Sequence, residues 1–150
     1  MCGIVTTDFE ALYAYKRGEY QRCLQLSTDS VRTLIDDGVI SCVVAYPEFI
    51  HLMDDDIVSL IGLILIVNPS FRKDQPYSAS LNQLPLSLYL MTQCQIKLHH
   101  PVTSLSRTLD YATVARRDLA DYCVLDKLLS QLTERKILLY ICRELADLSL

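Results

Sequence analysis

The sequence predicts an all-α domain of about six helices, built from antiparallel helical hairpins. Three observations carry that reading. Hydrophobic residues make up 51% of the chain and charged residues 21%, which describes an ordered chain with a core. Four glycines and five prolines in 150 residues are too few for the many turns of an all-β domain. Apolar residues also recur at helical spacing, in segments separated by short stop signals. The length suits a single domain, which at this size buries roughly 68–70% of the surface of its unfolded chain.

The first helix is read from "TTDFEALYAYKRGEY". Thr7 and Glu10 have the spacing of a capping box, in which a hydroxyl and a carboxylate each satisfy an orphan backbone N–H. Phe9, Leu12 and Tyr13 follow at helical spacing, and Gly18 offers a stop because glycine enters the left-handed conformation cheaply. A second helix places Tyr20, Cys23, Leu24, Val31, Leu34 and Ile35 on one stripe and ends at Asp36-Asp37-Gly38. Two helices joined so closely must fold back as a hairpin, assigned to 8–37.

Residues 39–67 are read as a buried middle segment. "VISCVVAY" is rich in β-branched residues, a strand composition, and breaks at Pro47. Asp54, Asp55 and Asp56 suit a helix start. Periodicity does not separate helix from strand over 57–67, because nearly every position is apolar. This run, "IVSLIGLILIV", is well short of the ~20 residues of a membrane-spanning helix, so it reads as a core element and no transmembrane segment is expected. Residues 68–80, with two prolines and scattered charge, are the linker. A second hairpin occupies 82–117. Leu84, Leu88, Met91, Cys94 and Leu98 mark its first helix, "KLHHP" its turn, and Leu105, Leu109 and Ala112 its second helix, which closes at Arg116-Arg117. A last helix over 124–148 carries Leu125, Leu128, Leu129, Leu132, Ile137, Ile141, Leu145 and Leu148 and runs on with no stop signal.

The stretch "ALYAYKRGEYQRCLQLS" resembles a tetratricopeptide repeat, a helical hairpin with small residues where its helices cross. Ala11 and Cys23 occupy the small positions, Gly18 the turn, and Tyr20 the wedge after it. The second hairpin has the same shape with other letters: His100 stands where Gly18 stood and Leu105 for Cys23. The resemblance implies a degenerate tetratricopeptide-like array whose concave surface accepts a partner peptide. Some repeats of this family clamp a carboxylate with Lys and Asn on the first helix. The matching positions here hold Asp8 and Leu12, so that clamp is not implied.

Residues that suggest chemistry each have a plainer reading. "MCGIV" is similar to the start of class II glutamine amidotransferases, whose N-terminal Cys attacks glutamine. Those enzymes continue into a β-sandwich with Asn-Gly donors, whereas this chain continues into a helix and contains no Asn-Gly, so Cys2 reads as a terminal thiol. His51 with Asp54, Asp55 and Asp56 reads as a helix start, not a metal site. His99 and His100 read as turn residues, and Arg116-Arg117 as a solvated helix end. Cysteines 2, 23, 42, 94, 123 and 142 include no CxxC pair and accompany no secretory leader, so they are expected reduced, as in the cytoplasm. Net charge is −4 with no block of five like charges, so no nucleic-acid arm is expected.

Nine tyrosines and no tryptophan leave the tyrosines as candidate groove walls, since each joins an apolar ring to a polar tip. Tyr20 reads as repeat packing, and Tyr13 and Tyr15 as partner-binding candidates. The expected function is a protein–protein interaction scaffold or adaptor, with a protein or peptide partner and no catalytic, cofactor or metal site. The alternatives are a self-associating helical domain, and a small helical enzyme of the amidotransferase-like hydrolase kind.

Overall fold

The computed structural model describes residues 3–37, 55, 57–59, 83–118 and 124–148. The chain is all-α. The described helices are α1 (Gly3–Lys16), α2 (Tyr20–Asp37), α3 (Gln83–Lys97), α4 (Val102–Asp118) and α5 (Val124–Leu148). Residues 57–59 are helical as well, and Ile57 is wholly buried in the main core. Apart from Asp55, the rest of the segment 39–67 and the linker 68–80 lie outside the described residues.

The helix α3 is the axis of the packing. It contacts α1 and α2 on one side and α4 and α5 on the other. Every residue from Gln83 to Gln95 is buried. The expected stripe of Leu84, Leu88, Met91 and Cys94 is therefore correct but incomplete, because Leu86, Tyr89 and Leu90 are equally buried. A helix with neighbours all round has no solvent face for charge, and none occurs between Asp74 and Lys97. Each of these large apolar side chains contributes roughly 1.5–3 kcal/mol by leaving water. Pro85 is tolerated because it sits in the first turn, where backbone N–H groups have no helical partner.

Polar side chains buried on α3 need partners, and two of them join the flanking hairpins. Gln95 Oε1 accepts a 2.7 Å hydrogen bond from Thr108 Oγ1 on α4. Gln93 Nε2 donates at 3.3 Å to the Tyr15 hydroxyl on α1. The Thr92 hydroxyl, by contrast, is buried without a hydrogen-bond partner among the described residues.

Both described hairpins turn in the same way. After α1, Gly18 has φ of 78°, and after α3, His99 has φ of 53°. Around each, the amide of the left-handed residue donates to the carbonyl three back (Gly18 to Tyr15 at 3.1 Å, His99 to Ile96 at 3.2 Å). The next amide donates to the carbonyl five back (Glu19 to Ala14 at 2.8 Å, His100 to Gln95 at 3.0 Å), the long bond of a Schellman closure. His99, not His100, therefore stands where Gly18 stands, one residue earlier than the sequence comparison placed it. In the corrected register Leu24 matches Leu105, Ser27 matches Thr108, Val31 matches Ala112 and Leu34 matches Ala115. All eight are buried.

The expected helix start at Thr7 is also displaced. The α1 backbone is helical from Gly3, so the amides a capping box would satisfy are already within the helical ladder. The start of α2 and its stripe agree with expectation: Cys23, Leu24, Val31 and Leu34 are buried, with Tyr20 and Ile35 packed beside them.

Helix α5 is tied down over its first part. Arg116 Nη1 meets Glu134 Oε2 at 3.0 Å, Lys136 Nζ stands 5.9 Å from the Tyr89 ring centroid, and the Tyr140 hydroxyl donates to the His100 carbonyl at 2.9 Å. Ile137 is buried. Beyond Tyr140, Leu145 and Leu148 are 53% and 81% exposed, so these two positions of the expected core stripe face outward.

Three substitutions test this packing. A Cβ at Gly18 would meet nothing within 4 Å, so the penalty there is conformational. In thermal or urea unfolding, Gly18→Ala should cost about 1 kcal/mol, whereas His99→Gly should stabilise by roughly 0.5–1 kcal/mol. Thr92→Val replaces an unpaired buried hydroxyl by a methyl of similar shape and should stabilise by about 1 kcal/mol.

Candidate functional site

The corner between α1 and α2 gathers the candidate tyrosines. On α1, Ala11, Leu12 and Ala14 face the core, which turns Tyr13 outward at 45% exposure. The chain then reverses through Arg17, Gly18 and Glu19 and enters α2 at Tyr20. A pocket of ≈ 170 Å³ lies at this corner, lined by Glu10, Tyr13, Ala14, Arg17, Glu19 and Arg22. Helical spacing explains its α1 wall, because residues 10, 13, 14 and 17 share one face.

The pocket has an aromatic wall and balanced charge. Arg17 Cζ stands 5.8 Å from the Tyr13 ring centroid, so the cation rests over the ring face. Arg22 and Glu19 approach to 3.8 Å with both side chains largely in water, a pairing worth little in stability. Two carboxylates and two guanidiniums around one ring form an open, polar-rimmed depression. Such a surface can pair with a peptide segment that carries both an apolar group and charge.

Tyr15 is placed differently from Tyr13. Its ring is half-buried and packs edge-on against Tyr20, with centroids 5.7 Å apart and planes at 65°. Its hydroxyl accepts from Gln93, so α3 holds this ring in place. The two candidates thus divide between an exposed wall and the packing behind it.

The other sequence candidates stay apart. His99 is exposed and supplies the left-handed turn, while His100 is half-buried and held through its carbonyl by Tyr140. Arg116 pairs with Glu134 across α4 and α5, and Asp55 is exposed. Cys2, His51, Asp54 and Asp56 lie outside the described residues. Among the described residues no three of His, Cys, Asp or Glu converge as metal ligands, and no helix is long and apolar enough to cross a membrane.

Glu10, Arg17, Glu19 and Arg22 were absent from the sequence-based candidates. Their signal was the i, i+3, i+7 recurrence of Glu10, Tyr13 and Arg17, which a search for apolar periodicity passes over. A second surface, on α5, exposes Leu138, Leu139 and Leu145 together with Cys142. At 100° per residue these four fall within about one third of the helix circumference. Comparison of the chain with models of protein families, with characterised proteins and with solved structures finds no match.

Proposed function

We propose that the chain is a protein-interaction module of the degenerate tetratricopeptide-like kind, and that it binds a peptide segment of a partner protein at the α1–α2 corner. The observation that carries this reading is Tyr13, an aromatic ring 45% exposed at the wall of a pocket with an arginine over its face. Exposed Tyr and Arg together are the residue types that most often dominate binding energy at protein interfaces. The repeat-like character is supported by the buried small residues Ala11 and Cys23 and by the glycine turn between their helices. On this reading Tyr13 makes the contact and Tyr15, locked by Tyr20 and Gln93, fixes the helix that presents it. The chain acts by binding and not by catalysis, in the cytoplasm, where the thiols of Cys23, Cys94 and Cys142 stay reduced.

Self-association is the second reading, and the exposed leucines of α5 favour it. Leu138, Leu139, Leu145 and Leu148 are each at least half exposed, more apolar surface than one helix end ordinarily leaves in water.

A photo-crosslinking residue placed at Tyr13 or at Leu139 separates the two readings in cell extract. The corner reading expects adducts with another protein from position 13. It also expects loss of retention by at least about tenfold in Tyr13→Ala with Arg17→Ala, at unchanged melting temperature. Adducts between copies from position 139, with a dimer mass by light scattering and none from position 13, would replace it by self-association.

A further inference from the structure

One order of packing repeats along the chain and stops short at α5. In the first hairpin α2 lies on α1, and in the second α4 lies on α3. Each later unit also leans on the hairpin before it: α3 packs against α1 and α2, and α5 against α3 and α4. Helix α5 therefore stands where the first helix of a third hairpin belongs. It lacks the helix that α2 is to α1 and α4 is to α3, since no described helix other than α3 and α4 makes an extensive contact with it. The side of α5 toward its neighbours carries Leu129, Thr133 and Ile137, all buried. The opposite side carries Leu138, Leu139, Cys142 and Leu145, all exposed.

The sequence of that outer face says what fits it. Arg135, Leu138, Cys142 and Leu145 follow one another at spacings of three, four and three, the alternation by which one helix lies along another. The run is also symmetric about Cys142. Leu139 stands three residues before it and Leu145 three after, Leu138 four before and Ala146 four after. A small-to-medium face that reads alike in both directions is complementary to a reversed copy of itself, as a two-fold interface requires. Charge selects the reversed direction. Laid in the same direction, two copies would set Arg135 against Arg135. Laid in opposite directions, Arg135 falls beside the last turn of the other α5, which holds no basic residue, includes Asp147 and forms the negative end of the helix dipole.

We infer that two copies of the chain pair through α5, antiparallel about a two-fold axis at Cys142, so that each supplies the helix the other lacks. Leu139 of one copy packs on Leu145 of the partner subunit, and Leu138 on Ala146 of the partner subunit, with the two Cys142 side chains at the centre. The inference rests on the self-association reading and gives it a face, a direction and an axis. It uses no residue of the α1–α2 corner and is independent of the peptide-binding reading. Three leucines and a cysteine per copy make a small interface, so the dimer is a transient one that forms as concentration rises.

The test uses the full chain with a photo-crosslinking residue at position 139, mixing copies with and without a nitrogen-isotope label. Tryptic cleavage after Lys136 and Arg143 separates residues 137–143 from 144–150, so the captured peptide reports the direction of pairing. The expected result is an adduct between differently labelled copies that joins residues 137–143 of one to residues 144–150 of the other. Light scattering should show a mass that rises toward a dimer with concentration. Leu139→Arg should weaken that dimer by at least about tenfold at unchanged melting temperature, because the side chain it replaces is exposed in one copy. A dimer whose adducts join residues 137–143 to the same peptide of the other copy, or one indifferent to Leu139→Arg, would overturn this arrangement while leaving self-association standing. A monomeric mass up to the solubility limit would overturn both and leave the outer face of α5 to a different helix.

Discussion

A helix without a solvent face is the constraint on which the rest of this structure depends. With α1, α2, α4 and α5 all against it, α3 has nowhere to send a charge, and from Gln83 to Gln95 it carries none. Its polar groups must then find partners inside the protein, since an unpaired buried group costs roughly 1–3 kcal/mol. Gln95 meets Thr108 and Gln93 meets Tyr15, so the need for satisfaction on α3 fixes one residue on each flanking hairpin. Apolar contact alone would hold the helices together while leaving them free to slide, and directional bonds to α1 and α4 restrict their register.

That constraint reaches the proposed binding corner. The Gln93 contact holds Tyr15, and Tyr15 packs on Tyr20 at the start of α2, so the helices on both sides of the Gly18 turn are braced by one side chain from the centre. The outward direction of Tyr13 follows from its neighbours, because Ala11, Leu12 and Ala14 take up the inner face. A rigid aromatic wall reduces the ordering cost a partner must meet on binding. The tyrosine on display and the tyrosine in the packing thus act as a unit, although only one of them reaches the surface.

Helical class, the Gly18 turn and the α2 stripe were legible because apolar spacing and a glycine stop are local signals. The full burial of α3 was not read, since a search for one stripe finds Leu84, Leu88, Met91 and Cys94 and looks no further. The missed signal was the absence of charge between Asp74 and Lys97. The second turn was misplaced by one residue because its left-handed position is held by His99, a residue type that tolerates this conformation without advertising it. Tyr13 and Tyr15 looked equivalent because Gln93, which separates their roles, is seventy-eight positions away in sequence. Toward the end of α5, Leu145 and Leu148 keep a core-like period yet stand exposed, so pattern and environment part there.

The order of these elements along the chain has a consequence for biosynthesis. The inner face of the first hairpin, with Cys23, Leu24, Val31 and Leu34, is covered chiefly by α3, yet sixty residues separate the end of α2 from the end of α3. At a translation rate of about 5–20 residues per second, that face waits roughly 3–12 s on the ribosome before its cover emerges. During that interval the nascent hairpin presents an apolar strip to its surroundings, and shielding must come from the intervening segment or from chaperones.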